Sequence, residues 1–169
     1  SAGPNTLTVT AGDLTATFTA TTQTGPAATI SPTAGDHQTA VVGSTLPVAP
    51  AVRVTDAGGN ALVGVTVTFA VASGGGSITG ASAVTNASGT ATVGSWTLGT
   101  TAGTNTLSAT LGTVSATITA TGIAGPATQM SASAGDAQTA GTGAALAVAP
   151  AVRVADQFGN PVAGVAVTF

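Results

Sequence analysis

The chain has 169 residues, of which 43% are hydrophobic and only 4% charged, and its net charge is −3. Globular proteins typically carry about 25% charged residues, so this surface must be built from neutral polar groups. Arg53 and Arg153 are the only Lys or Arg residues, which excludes a basic nucleic-acid footprint, and no apolar run approaches the ~18 residues of a membrane-spanning helix.

Period-two alternation, not helical periodicity, organises the chain. The spacing predicts strands near 27–33, 38–42, 48–55, 62–71, 78–85, 90–98, 105–111 and 113–121. Pro47 and Pro50 put the start of the third run at an edge or a bend, because proline cannot donate to a ladder. In the fourth, Val65, Val67, Phe69 and Val71 alternate with Thr66, Thr68 and Ala70. In the sixth, Gly94-Ser95 breaks the alternation before Trp96 and suggests a bulge; this single tryptophan reads as core packing or as an exposed binding platform. In the last two, Leu107, Ala109, Val114, Ala116 and Ile118 alternate with serines and threonines. Each of these strands has one apolar face and one hydroxyl face, the pattern of a sheet wet on one side. Turns rich in Gly, Asn and Asp separate the runs. Short strands at this density predict an all-β protein of the sandwich type.

The chain also repeats itself at a spacing of 100 residues without a gap. Gly25-Pro26 returns as Gly125-Pro126, Ala34-Gly35-Asp36 as Ala134-Gly135-Asp136, and Ala51-Val52-Arg53-Val54 as Ala151-Val152-Arg153-Val154. Direct comparison of 1–69 with 101–169 finds 39 identities. A fixed period of this length predicts one small domain per repeat in a tandem array. The register divides the chain into 1–24, the C-terminal part of a repeat; 25–124, a complete repeat; and 125–169, the N-terminal part of the next. Neither flank holds enough strands to bury a core alone, so the sequence reads as a piece of a longer polypeptide.

The segment Val52-Arg53-Val54-Thr55-Asp56-Ala57-Gly58-Gly59-Asn60 through Val65-Thr66-Val67-Thr68-Phe69 resembles the strand-turn-strand signature of bacterial immunoglobulin-like domains of the invasin/intimin type. The second copy, Asp156-Gln157-Phe158-Gly159-Asn160-Pro161 through Phe169, is nearer still. Thr85-Asn86-Ala87-Ser88-Gly89-Thr90 and Ala102-Gly103-Thr104-Asn105-Thr106-Leu107 are similar to further motifs of that family, in the same order. The resemblance implies tandem Ig-like sandwiches used as spacers in surface adhesins, and so an extracellular, bacterial cell-surface location. It also implies that Thr66, Thr68, Thr106, Ser108, Thr110, Ser115, Thr117 and Thr119 share one nearly uncharged face. That face reads as a plain solvent surface, a lateral contact between sister fibres, a carrier of O-glycans or a water-ordering surface.

The remaining candidates are few. His37 is the only histidine and is Ala137 in the next copy, and Cys, Lys, Glu and Tyr are absent, so no acid–base or nucleophile set recurs and no enzyme is expected. Asp36 and Asp136 sit in Gly-Asp turns and are candidate calcium ligands or plain turn residues. Asp56 and Asp156 open the turns to Asn60 and Asn160. Arg53 points away from Val52 and Val54, toward solvent, an Asp across a junction or a turn carbonyl. Asn86-Ala87-Ser88 matches a glycosylation sequon but reads first as an Asx turn.

No cofactor is expected. The expected partners are neighbouring repeats of the same chain, with lateral self-association and a surface receptor or glycan, met through other parts of the parent protein, as further candidates. The short junctions at Thr22 to Pro26 and Gly122 to Pro126 leave little slack. The sequence thus reads as a semi-rigid extracellular fibre or adhesin stalk. The alternatives are a subunit of a self-assembling extracellular filament or matrix and an accessory binding module of an exported enzyme.

Overall fold

A computed structural model describes residues 2–169. The chain is all-β. It opens with a hairpin of β1 (Gly3–Ala11) and β2 (Leu14–Thr22), then β3 (Thr29–Ala34), β4 (Gln38–Val41), β5 (Ala51–Thr55) and β6 (Thr66–Ser73). There follow β7 (Gly76–Thr79), β8 (Ser82–Val84), β9 (Thr90–Thr92), β10 (Ser95–Leu98), β11 (Gly103–Leu111) and β12 (Val114–Ile123), and last β13 (Gln129–Ala134) and β14 (Ala151–Ala155).

Two layers face each other. One is the sheet β4-β12-β11-β6-β8, antiparallel except where β4 runs parallel to β12. The other joins the sheet β3-β5-β9 to the pair β7-β10. Between them, the alternating apolar positions meet as one core: Ile30, Val52 and Val54 from one layer, Val67, Phe69, Leu107 and Ile118 from the other, with Trp96 and Leu98 at its centre. Hydroxyl-bearing residues take the outward positions, so the sequence alternation is converted directly into a two-layer sandwich.

The fourth expected strand, 62–71, is observed as β6 from Thr66 to Ser73, and three further departures from the sequence reading each have a tertiary reason. The expected strand 78–85 is two strands, β7 and β8, on different sheets. Gly80 turns the chain between them at φ 65, and a Cβ there would meet the Gly94 nitrogen at 2.9 Å. The expected strand 90–98 breaks at Gly94 itself, so that β9 pairs with β5 while β10 pairs with β7. The third strand begins at Ala51 and not at 48, because the Gln38 side chain takes up the backbone of Val48. Its Nε2 donates to the Val48 and Gly35 carbonyls at 2.8 and 2.9 Å, and its Oε1 accepts the Val48 amide at 3.0 Å. Gln138 repeats the arrangement with Val148 and Gly135.

Local geometry recurs at the 100-residue spacing. The β1–β2 hairpin pairs Leu7 with Phe18 and Asn5 with Ala20; β11–β12 pairs Leu107 with Ile118 and Asn105 with Ala120. The β3–β5 ladder shifts register between Pro32 and Ala34, and β13–β14 shifts between Ala132 and Ala134. Leu107 and Ile118 are buried, whereas Leu7 and Phe18 are 63% and 61% exposed.

Candidate interaction site

Two polar turns of one design carry most of the buried charge. Asp56 Oδ1 accepts the Gly58 and Asn60 amides at 2.9 Å, and its Oδ2 accepts the Gly25 amide at 2.9 Å. Asp156 does the same with Phe158, Asn160 and Gly125, at 2.9, 2.9 and 3.0 Å. Each carboxylate also takes a side-chain hydrogen bond from the asparagine four residues on, both Asn60 and Asn160 donating Nδ2 to Oδ2 at 2.9 Å. Both aspartates are buried. The Asn60 side chain, then the Gly25 and Asn60 amides, hold the Asp56 carboxyl at about 2 against the opposing effect of burial. Burial pushes the Asp156 carboxyl up more strongly, but the bonds from the Asn160 side chain and from the Gly125, Asn160 and Phe158 amides outweigh it and hold this group at about 2 as well. A carboxylate that accepts several N–H donors is stabilised in its charged form. The aspartates therefore close their turns, as their position before Asn60 and Asn160 led us to expect.

The asparagines reach further. Asn160 Oδ1 accepts the Ala102 amide at 2.8 Å and its Nδ2 donates to the Thr100 carbonyl at 2.8 Å. Asn60 Oδ1 accepts the Ala2 amide at 3.0 Å. Each turn thus grips a loop 58 residues upstream, at the same spacing in both copies. Asn105, fully buried, shapes the loop that Asn160 holds: its Oδ1 accepts the Gly99 amide at 3.3 Å and its Nδ2 donates to the Gly103 carbonyl at 3.2 Å. The sequence reading named Asp56, Asp156 and their asparagines as turn residues and missed this contact. A signal was there: Asp, Gly and Asn return in Asp156, Gly159 and Asn160, while Ala57-Gly58 becomes Gln157-Phe158.

The eight hydroxyl candidates all lie on the outer face of the five-stranded sheet, where register aligns them in rows. Ser82, Thr68, Thr110 and Ser115 form one row across four strands; Thr106 and Thr119 pair in another beside Ser73. Ser108 pairs with Thr117 between them, and Thr66 stands opposite Val84. Ser73 and Ser82 belong to the face although the sequence reading did not include them. Much of its hydrogen-bonding capacity is used internally. Thr106 and Ser73 share a 2.7 Å hydroxyl bond, Ser108 donates to the Ala70 carbonyl at 3.1 Å, and Thr110 donates to the Thr68 carbonyl at 3.3 Å.

Asp36 occupies one corner of that face. Its Oδ1 accepts the Thr119 amide at 2.8 Å, the Thr119 hydroxyl at 3.0 Å and the His37 amide at 2.9 Å. Its Oδ2 lies 3.1 Å from His37 Nδ1. Burial raises the Asp36 carboxyl, but the Thr119 and His37 bonds and the nearby imidazole bring it below its usual range. The structure thus ties Asp36 to β12, and Asp136 accepts the Ala137 amide at 2.9 Å. Among the described residues no three His, Cys, Asp or Glu side chains group as metal ligands. Arg53 Nε donates to the Ser88 carbonyl at 3.2 Å and Arg153 Nη2 to the Gly159 carbonyl at 2.6 Å, so both arginines serve turn carbonyls. Asn86 Oδ1 accepts the Ser88 and Thr90 amides, an Asx turn. Trp96 is fully buried, which settles its role as core, and its Nε1 lacks a hydrogen-bond partner.

Fold and site define an all-β protein whose polar side chains are committed to turns and to contacts between loops. The chain matches no protein-family model and no curated protein. Among solved structures it is similar to domains 4–9 of the surface layer protein SbsC, with TM-score 0.47 and 20% identity over 95% of this chain and 25% of that one. It is also similar to the D00-D0 domain of intimin, with TM-score 0.46 and 23% identity over 65% of this chain and 56% of that one.

Proposed function

We infer that the chain is a stretch of tandem Ig-like repeats forming a semi-rigid fibre or adhesin stalk on a bacterial surface, with the boundaries 1–24, 25–124 and 125–169. The observation that carries this reading is the grip of Asn160 on Thr100 and Ala102, matched by that of Asn60 on Ala2. In this reading each Asp-to-Asn turn belongs to one domain and the loop it holds belongs to the domain before. A domain boundary crossed only by a flexible linker leaves its neighbours free to reorient. Hydrogen bonds from a side chain already locked to its own turn remove that freedom at little further entropic cost. The Gly125 amide, on the junction itself, is held by Asp156, so linker, turn and upstream loop meet at one point. The scarcity of Lys and Arg, two in the chain, suits exposure to trypsin-like proteases outside the cell.

Small-angle X-ray scattering from chains of increasing repeat number tests the rod. The expected result is a maximum dimension that grows by roughly 35–45 Å per added repeat at constant cross-section. Growth with about the square root of repeat number, as for a flexible string, overturns it.

A second reading, lateral association through the hydroxyl face, is favoured by one observation: the row from Ser82 to Ser115 crosses four strands without a charged side chain. Little charge repulsion would oppose such contacts. In either reading the receptor or glycan partner is met through other parts of the parent protein.

A further inference from the structure

The two joints share the polar clamp but differ in what surrounds it. Beside the clamp at Asn160 lies a cleft of about 230 Å³ lined by Val41, Gly125, Pro126, Thr128 and the turn residues Asp156 to Phe158. Three large apolar side chains from separate segments stand here: Val41 of β4, Ile123 of β12 and Phe158 of the turn. Val41 and Ile123 are register partners. The Phe158 ring packs over Gly43, where an added Cβ would stand 3.4 Å from Cε2 and Cζ. Val41 reaches Gly125 in the same way, with Cγ1 3.5 Å from the position of a Cβ. All three remain partly exposed, at 40%, 47% and 45%, outside the sealed core.

At the 100-residue spacing the counterparts of these three residues are Gly141, Gln23 and Gly58. At the joint before Gly25 two of these positions are present, and both are changed: Ile123 is matched by Gln23 and Phe158 by Gly58, while Asp56, Asn60, Asp156 and Asn160 are retained; Gly141, the counterpart of Val41, belongs to the following repeat. Drift across a surface would not be expected to exchange together two positions, far apart in sequence, that flank the same joint. We propose that the chain encodes joints of two stiffness classes: a clamp alone where the turn carries Gly58, and a clamp closed by an apolar latch where Phe158 seats on Gly43 beside Val41 and Ile123. Bending in the fibre then concentrates at the latch-free joints, and the order of repeats sets where the rod yields. This rests on the tandem-rod reading above.

The joint has a built-in reporter, because the Ala102 amide is held across it by Asn160 Oδ1. Amide hydrogen exchange is followed by NMR in the whole chain, in Phe158→Ala and in Val41→Gly, which restores the glycine of the other copy. The Val54 amide, bonded to the Gly89 carbonyl inside the sandwich, reports on folding. The expected result is Ala102 exchange faster by about fivefold to tenfold in either variant, the scale for losing a half-buried apolar side chain, with Val54 unchanged. Unchanged Ala102 exchange in both variants, with protection abolished in Asn160→Ala, overturns the latch and leaves the rod. An unprotected Ala102 in the unsubstituted chain overturns both.

Discussion

Asn160 accepts the Ala102 amide at 2.8 Å across 58 residues of sequence, and it does so with a side chain whose own Nδ2 is anchored on Asp156. The amide group is bifunctional in a way that a carboxylate or an ammonium is not: it can accept from one residue of a loop and donate to another two positions away, here the Thr100 carbonyl. A protein with almost no charge can in this way build a directional contact without ion pairs.

Replacing Asn160 by Ala removes both bonds to the upstream loop and one to Asp156. At about 1 kcal/mol for each neutral bond and somewhat more for the charged one, the local loss should be about 2–4 kcal/mol. The core between the two layers does not include Asn160, so the melting of residues 25–124 should shift little. Exchange at Ala102 together with a calorimetric scan separates the two effects.

Acid should loosen the same contacts. Asp56 and Asp156 titrate near 3.8 in the unfolded chain and at about 2 when folded. Between those values the unfolded chain binds more protons, so stability falls as pH falls. The thermal midpoint is expected to be flat from neutrality to about pH 5 and to drop between about pH 4 and pH 2. Asp56→Asn, within the complete repeat, should flatten part of that slope and lower the midpoint at neutral pH, since an amide cannot accept from as many N–H groups as a carboxylate.

The alternation of β11 and β12 made those strands legible to within about two residues, because one face is buried along their whole length and a period of two then fixes the register. The breaks at Gly80 and Gly94 were not legible: Gly80 closes on the Gly94 backbone and Gly94 on Thr79, and neither glycine differs locally from a plain turn or bulge residue. The Asp-to-Asn turns were readable as turns because their Oδ1 bonds span only two to four residues. The grip on loop 100–102 was not, because a neutral amide reaching 58 residues away leaves no charge or period in the sequence. The short junctions at Thr22 to Pro26 and Gly122 to Pro126 showed where a joint lies, but not which side chains close it.

Trp96 fills the centre of the sandwich with its indole N–H unsatisfied. Trp96→Ala should cost about 3–5 kcal/mol through the cavity it leaves. Trp96→Phe should cost much less than that, because removing an orphaned donor offsets part of the lost volume. Chemical denaturation of both variants gives the comparison, and native emission should be blue-shifted as for a dry indole.

His37 sits at φ 56 and its counterpart Ala137 at φ 52, a conformation that costs a residue with a Cβ about 1 kcal/mol. The exposed His37–Asp36 pair contributes little against this. His37→Gly should therefore raise stability by up to about 1 kcal/mol, read from the urea midpoint at pH 7. A fall of that size would mean that the imidazole holds the corner of the sheet more strongly than its exposure suggests.

The most direct test of the account is negative-stain electron microscopy of a chain of about five repeats at low and high concentration. Single straight rods roughly 35–45 Å long per repeat at both concentrations are the expected result. Beads on a flexible string would contradict the clamped joint, and ordered bundles at high concentration would move the function to the hydroxyl face.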